Sequence, residues 1–127
     1  MIRLPVADTS FLYALFSRSD LFHKKARAVV TSATEVLVPS EIYAETVSLI
    51  HYRVGFQAAL AAGQWMRAQE GFRVCPTTPA VLDRAWSLFR RASGRLSYPD
   101  AIVLAWCRER RAIPLAFDRA IVRRSRA

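Results

Sequence analysis

Residues 2–16 read IRLPVADTSFLYALF, and the reading of this stretch decides the fold. An apolar run from Ile2 to Ala7 ends at Asp8, and beyond it Phe11, Leu12, Leu15 and Phe16 recur at helical spacing. The run does not alternate, so it predicts a strand buried on both faces, as in a parallel sheet covered by helices. Asp8 then stands at the carboxyl end of that strand, the edge where open α/β sheets form their ligand crevice.

Outward from this stretch the same unit repeats. Asp20 is placed to cap a second helix carrying Leu21, Phe22, Ala26, Val29 and Val30, and Val36 to Pro39 gives a second strand. Ser40 is expected to cap a helix running to Gly55, and a further helical stretch, Phe56 to Glu70, stops at Gly71. Phe72 to Cys75 makes a third strand before Pro76. Thr78 and Pro79 read as a cap followed by proline at the first helical position, with Val81, Leu82, Ala85, Leu88 and Phe89 on the apolar face and Gly94 as the stop. Ser97, three residues before Asp100, opens another helix in the manner of a capping box. Ile113 to Phe117 is the fourth strand, and Asp118 follows it. Short apolar strands separated by helices predict an α/β fold: one domain over residues 1–127, a three-layer α/β/α sandwich around a mostly parallel sheet of four to five strands.

A hydrophobic fraction of 53% supplies such a core amply and leaves apolar surface for a partner, so a homodimer is expected. Nineteen Lys and Arg against ten acids give a net charge of +9, and all but Lys24 and Lys25 are Arg, whose planar fork grips phosphate in two places. That balance points to nucleic acid or an acidic protein partner; a merely solvated basic surface is the alternative. Cys75 and Cys107 lie among apolar residues without metal-ligand spacing, which predicts buried, reduced and inert thiols. The opening MIRLPVADTS fits neither a signal peptide nor an anchor, no long uncharged apolar run follows, and a cytoplasmic protein is expected.

Six of the ten acids, Asp20, Glu35, Glu41, Glu70, Asp83 and Glu109, sit beside other charges, in turns or next to a helix start. The other four do not. Asp8 (PVADTSFL), Glu45 (IYAETVSL), Asp100 (YPDAIVLAW) and Asp118 (PLAFDRAIV) each occupy an apolar window, where an ionised group is costly to desolvate. Taken singly, Asp100 reads as a helix N3 residue, Asp118 as a cap and Glu45 as a solvated helix residue. Together they share a setting: two directly follow strands and two lie within about the first two turns of helices, so all can meet at one sheet edge. At ~4 Å and an effective dielectric of ~20, a like-charge pair costs on the order of 4 kcal/mol, a sign that a bound dication reverses. All-oxygen ligands without Cys or His favour Mg²⁺ or Mn²⁺, one or two ions, and suit hydrolysis of a phosphodiester. Thr9 and Ser10 are placed to hydrogen-bond a ligand carboxylate or a metal-bound water.

At these residues the chain resembles the PIN-domain nucleases, especially the VapC-type toxins of bacterial toxin–antitoxin pairs. The resemblance rests on VADTSFLYAL, SEIYAETVSLIHYRVG, LSYPDAIVLAWC and IPLAFD, taken in order, and covers nearly the whole chain. It implies a metal-dependent endoribonuclease, a homodimer and a small cognate antitoxin, with Asp8, Glu45, Asp100 and Asp118 at the metal and Ser10 as the supporting hydroxyl. One departure concerns the fourth acid: relatives often carry Thr or Ser two residues before it, where this chain has Ala116.

Arg90, Arg91 and Arg95, then Arg108, Arg110 and Arg111, then Arg119, Arg123, Arg124 and Arg126 form basic groups, and the last begins directly after Asp118. Arg119, Arg123 and Arg124 are expected to lead an RNA backbone to the site, or an antitoxin's acidic segment to the same surface. Tyr98 and Tyr43 are the candidates for base stacking, while Trp65, Trp86 and Trp106 belong to core or interface. His23 and His51 fall outside the acidic motifs and receive no chemistry. A phosphoryl-accepting domain is disfavoured, because both lysines precede the second strand and position 10 is Ser rather than a second acid. A housekeeping RNA-processing nuclease and a non-catalytic RNA-binding or regulatory module of the same fold share every residue named above.

Overall fold

The computed structural model describes residues 4–32, 35–117 and 121. The apolar runs form four strands, β1 (Pro5–Ala7), β2 (Val36–Pro39), β3 (Phe72–Cys75) and β4 (Ile113–Leu115). Between them lie helices in pairs: α1 (Thr9–Phe16) and α2 (His23–Ser32), α3 (Ser40–Arg53) and α4 (Phe56–Ala68), α5 (Pro79–Ala92) and α6 (Tyr98–Arg110). All described pairings are parallel, in the order β3-β2-β1-β4.

This order dictates the layers. The crossovers from β1 to β2 and from β2 to β3 step the same way along the sheet, whereas that from β3 to β4 steps back across it. Right-handed crossovers therefore place α1 to α4 on one face and α5 and α6 on the other. The packing agrees: α3 lies against α1 and α4, and α6 lies against α5, β1 and β4. Sheltered on both faces, Val6, Ala7 and all four residues of β2 are buried. Helix α6 is buried continuously from Ala101 to Cys107, as expected of a helix apolar on every side.

Local chemistry explains the boundaries. Thr78 caps α5 by accepting from the Val81 amide at 3.3 Å, and Ser97 caps α6 by accepting from the Asp100 amide at 3.2 Å. Helix α5 ends in two left-handed residues, Ser93 and Gly94. The turn between α3 and α4 needs φ of +139° at Gly55, which a side chain would strain. Several boundaries differ from the sequence reading, among them the start of β1 at Pro5 and of α2 at His23. Ser40 is not a cap but the first residue of α3; Pro39 holds the cap position without a side-chain bond, and the Ser40 hydroxyl turns to Glu41. Helix α4 stops at Ala68 because Gln69 is already extended, and β4 ends at Leu115 rather than Phe117. Asp20 accepts from the Phe22 amide at 2.8 Å in the turn ahead of α2, which begins only at His23, so Leu21 and Phe22 precede the helix rather than ride on it.

Candidate active site

The carboxyl edge of the sheet is built around Asp8. Its backbone amide extends the β1–β4 ladder by donating to the Leu115 carbonyl at 3.0 Å, so the side chain leaves the sheet where β1 turns into α1. There it caps α1: Oδ1 accepts from the Phe11 amide at 2.8 Å. The Ser10 hydroxyl lies 2.9 Å from Oδ1 and 3.0 Å from Oδ2, its one proton shared between them. With 2% of its surface exposed, Asp8 is one of two buried polar residues among those described. The helix N-terminus and these hydrogen bonds offset the desolvation of its charge.

Ser10 also accepts from the Phe117 amide at 3.0 Å. It thereby ties the segment leaving β4 to the carboxylate at the end of β1. The same segment is pinned by the Phe117 ring, stacked on Phe22 with centroids 4.4 Å apart and planes 9° apart. With Ala116 offering no hydroxyl, the neighbouring backbone is braced from Ser10. Asp118, the next residue, lies outside the described residues, as do Arg119, Arg123, Arg124 and Arg126.

Glu45 projects from the second turn of α3 and is half-buried. The Thr9 hydroxyl, from the first residue of α1, donates to its Oε1. Asp8, Thr9, Ser10 and Glu45 are thus joined through adjacent residues. Asp100 lies in the other layer. A two-residue link joins α6 to the start of β4, so the helix runs back alongside the sheet and its first turn, which holds Asp100, lies toward the carboxyl edge. All these donors are hard oxygens, the set that suits Mg²⁺ or Mn²⁺. Among the described residues, no three His, Cys, Asp or Glu side chains stand together as a metal-holding group.

Other candidates found different places. The Tyr43 hydroxyl donates to the Gly63 carbonyl at 3.1 Å, packing α3 against α4 so closely that a Cβ at Gly63 would stand 3.1 Å from the hydroxyl oxygen. Tyr98 lies half-buried, edge-on to Trp86 and Phe89, and Trp86 keeps 55% of its surface exposed. Trp65 and Trp106 belong to the core, as expected. His23 is bonded through Nδ1 to the Ala14 carbonyl at 2.8 Å, and His51 lies exposed against Phe56. Cys75 is half-buried rather than buried, because β3 is an edge strand; burial pushes the Cys107 thiol up to about 12. Glu41, set aside in the sequence as a helix-start acid, accepts from the Thr77 hydroxyl at 2.6 Å. The signal that would have marked it is its spacing of four residues from Glu45, which puts both on one face of α3.

A parallel sheet with a buried Asp8 at its carboxyl edge, joined through Thr9 to Glu45, fits the class of α/β proteins that bind ligands at that edge, and comparison narrows it. The PIN domain family model matches residues 6–127, so the chain belongs to the PIN domain family. Among solved structures the chain is similar to VapC20 of Mycobacterium tuberculosis, described as a sarcin–ricin loop cleaving toxin. The two share 29% identity and a TM-score of 0.85, with 94% of each chain covered. No curated protein matches the sequence significantly. Among the described residues, no helix is long and apolar enough to cross a membrane.

Proposed function

We propose that the protein is a metal-dependent endoribonuclease, the toxin of a toxin–antitoxin pair, that hydrolyses RNA phosphodiesters with water. Asp8, Glu45, Asp100 and Asp118 hold one or two Mg²⁺ or Mn²⁺ ions. The observation that carries this reading is the buried, braced Asp8, joined through Thr9 to Glu45 at the carboxyl edge of a PIN fold. A bound dication supplies Lewis-acid chemistry at the scissile phosphate. The chain's own groups orient the donors: Ser10 fixes both oxygens of Asp8, and Thr9 fixes Glu45. Arg119, Arg123 and Arg124 hold the RNA backbone, and Tyr98 stacks on a base. Exposed Arg90, Arg91, Arg95, Arg108, Arg110 and Arg111 spread the positive field over the face of α5 and α6, which makes binding strongly salt-dependent. The protein acts in the cytoplasm as a homodimer, held in check by a small cognate antitoxin.

The likeness to VapC20 directs the choice of substrate for the test. Antitoxin-free protein is incubated with a ribosomal sarcin–ricin stem-loop and with an unstructured RNA, in Mn²⁺ and in chelator. Cleavage at defined positions in Mn²⁺ alone is expected. No cleavage of either RNA under any condition contradicts the proposal and favours an RNA-binding module.

A further inference from the structure

Outside the constellation around Asp8, one chain of hydrogen bonds joins the two helical layers. The Trp106 Nε1 donates to the Thr77 hydroxyl at 2.9 Å, and that hydroxyl donates to Glu41 Oε1 at 2.6 Å. The same carboxylate oxygen accepts from the Ser40 hydroxyl at 3.3 Å. Thr77 has one proton to give, so its orientation is set from both sides: it gives to Glu41 and receives from Trp106.

The partners come from three places. Glu41 stands in the first turn of α3, four residues before Glu45. Thr77 lies in the short link after β3, at the carboxyl edge. Trp106 belongs to α6, six residues after Asp100, with 2% of its surface exposed and its ring under Arg110 at 4.7 Å. Six residues of helix span roughly 9 Å, short enough for a helix to move as a rigid body. Helices α3 and α6 lie on opposite faces of the sheet: α3 carries Glu45, which the Thr9 hydroxyl ties to the segment of Asp8, and α6 carries Asp100 in its first turn.

We infer that Thr77 is a positioning residue: with Trp106 and Glu41 it forms a strut that sets α6, and so Asp100, against α3, and so Glu45. This rests on the nuclease reading above and adds residues that neither touch substrate nor hold metal. A carboxylate pair carried on separate helices binds an ion well only when the helices are held at a fixed separation, and outer partners of this kind tune metal affinity.

The test compares Thr77→Val, Thr77→Ser, Glu41→Ala and the double variant Thr77→Val/Glu41→Ala, each checked for folding by thermal unfolding. Three quantities are read: Mn²⁺ binding by calorimetry, cleavage of the stem-loop RNA, and hydrogen exchange in the first turn of α6. Thr77→Val is expected to weaken Mn²⁺ binding about 10-fold or more and to speed exchange at Tyr98 to Ala101, whereas Thr77→Ser stays within about 3-fold of wild type. The double variant is expected to be no worse than the poorer single variant, because both break one chain. If Thr77→Val does not fold, Trp106→Phe removes the donor while keeping an aromatic ring, and its lost packing is gauged by thermal unfolding.

Wild-type Mn²⁺ affinity and exchange in Thr77→Val overturn the strut while leaving the nuclease reading intact. Additive losses in the double variant, with Glu41→Ala as damaging as Asp8→Asn, overturn it by making Glu41 a ligand. A wild type that neither binds Mn²⁺ nor cleaves RNA overturns the nuclease reading instead, and unchanged exchange then overturns the strut on its own account.

Discussion

Asp8 and Asp100 read alike in the sequence, each an acid in an apolar window, yet the structure holds them by different means. Asp8 is buried, sits between two strands, and takes hydrogen bonds from a backbone amide and a hydroxyl within three residues of itself. Its geometry is local and belongs to the sheet. Asp100 is half-buried at a helix N-terminus, and its place depends on how α6 docks against β1, β4 and α5. One half of the candidate site is therefore fixed by covalent neighbours and the other by tertiary packing. Disturbances of packing should reach the second half first.

The largest effect should come from removing either charge. Asp8→Asn and Asp100→Asn are expected to abolish Mn²⁺-dependent cleavage, measured as initial rate on the stem-loop RNA. Asn still caps a helix, so Asp8→Asn should shift metal-free stability by less than about 1 kcal/mol in urea unfolding. Ser10→Ala sharpens the contrast. It leaves the Phe117 amide and the Asp8 carboxylate short of a partner, and a loss of roughly 1–3 kcal/mol is expected in the same measurement, with slowed cleavage. Ser97→Ala removes only the cap of α6, about 1 kcal/mol, and should loosen Asp100 without touching Asp8. Smallest is the thiol test. With the Cys107 thiol at about 12, only about one side chain in ten thousand is thiolate at pH 8, so a disulfide reagent should reach Cys75 in the native protein and Cys107 only after unfolding. Prompt reaction of both would mean that α6 opens.

The parallel sheet between helical layers follows from signals that are local in sequence, the unalternating apolar runs, the caps at Thr78 and Ser97 and the stop at Gly94, whereas the strand order comes only from the tertiary pairing. Boundaries shifted where a residue had a competing role, as when Ser40 turned to Glu41 and Pro39 took the cap position. Asp8 was legible because a strand end and an acid coincide in the sequence. Its capping of α1 was not, since Asp8 was read as the end of a strand rather than the start of a helix. The ties from Thr9 to Glu45 and from Trp106 through Thr77 to Glu41 span 36, 29 and 36 residues, distances at which no sequence periodicity operates.

The most direct measurement is a calorimetric titration of metal-free protein with Mn²⁺, wild type beside Asp8→Asn and Asp100→Asn. Binding of one or two ions by wild type, lost in both variants while each stays folded, is the expected result. Equal binding by all three proteins would contradict a metal centre at the carboxyl edge of this sheet.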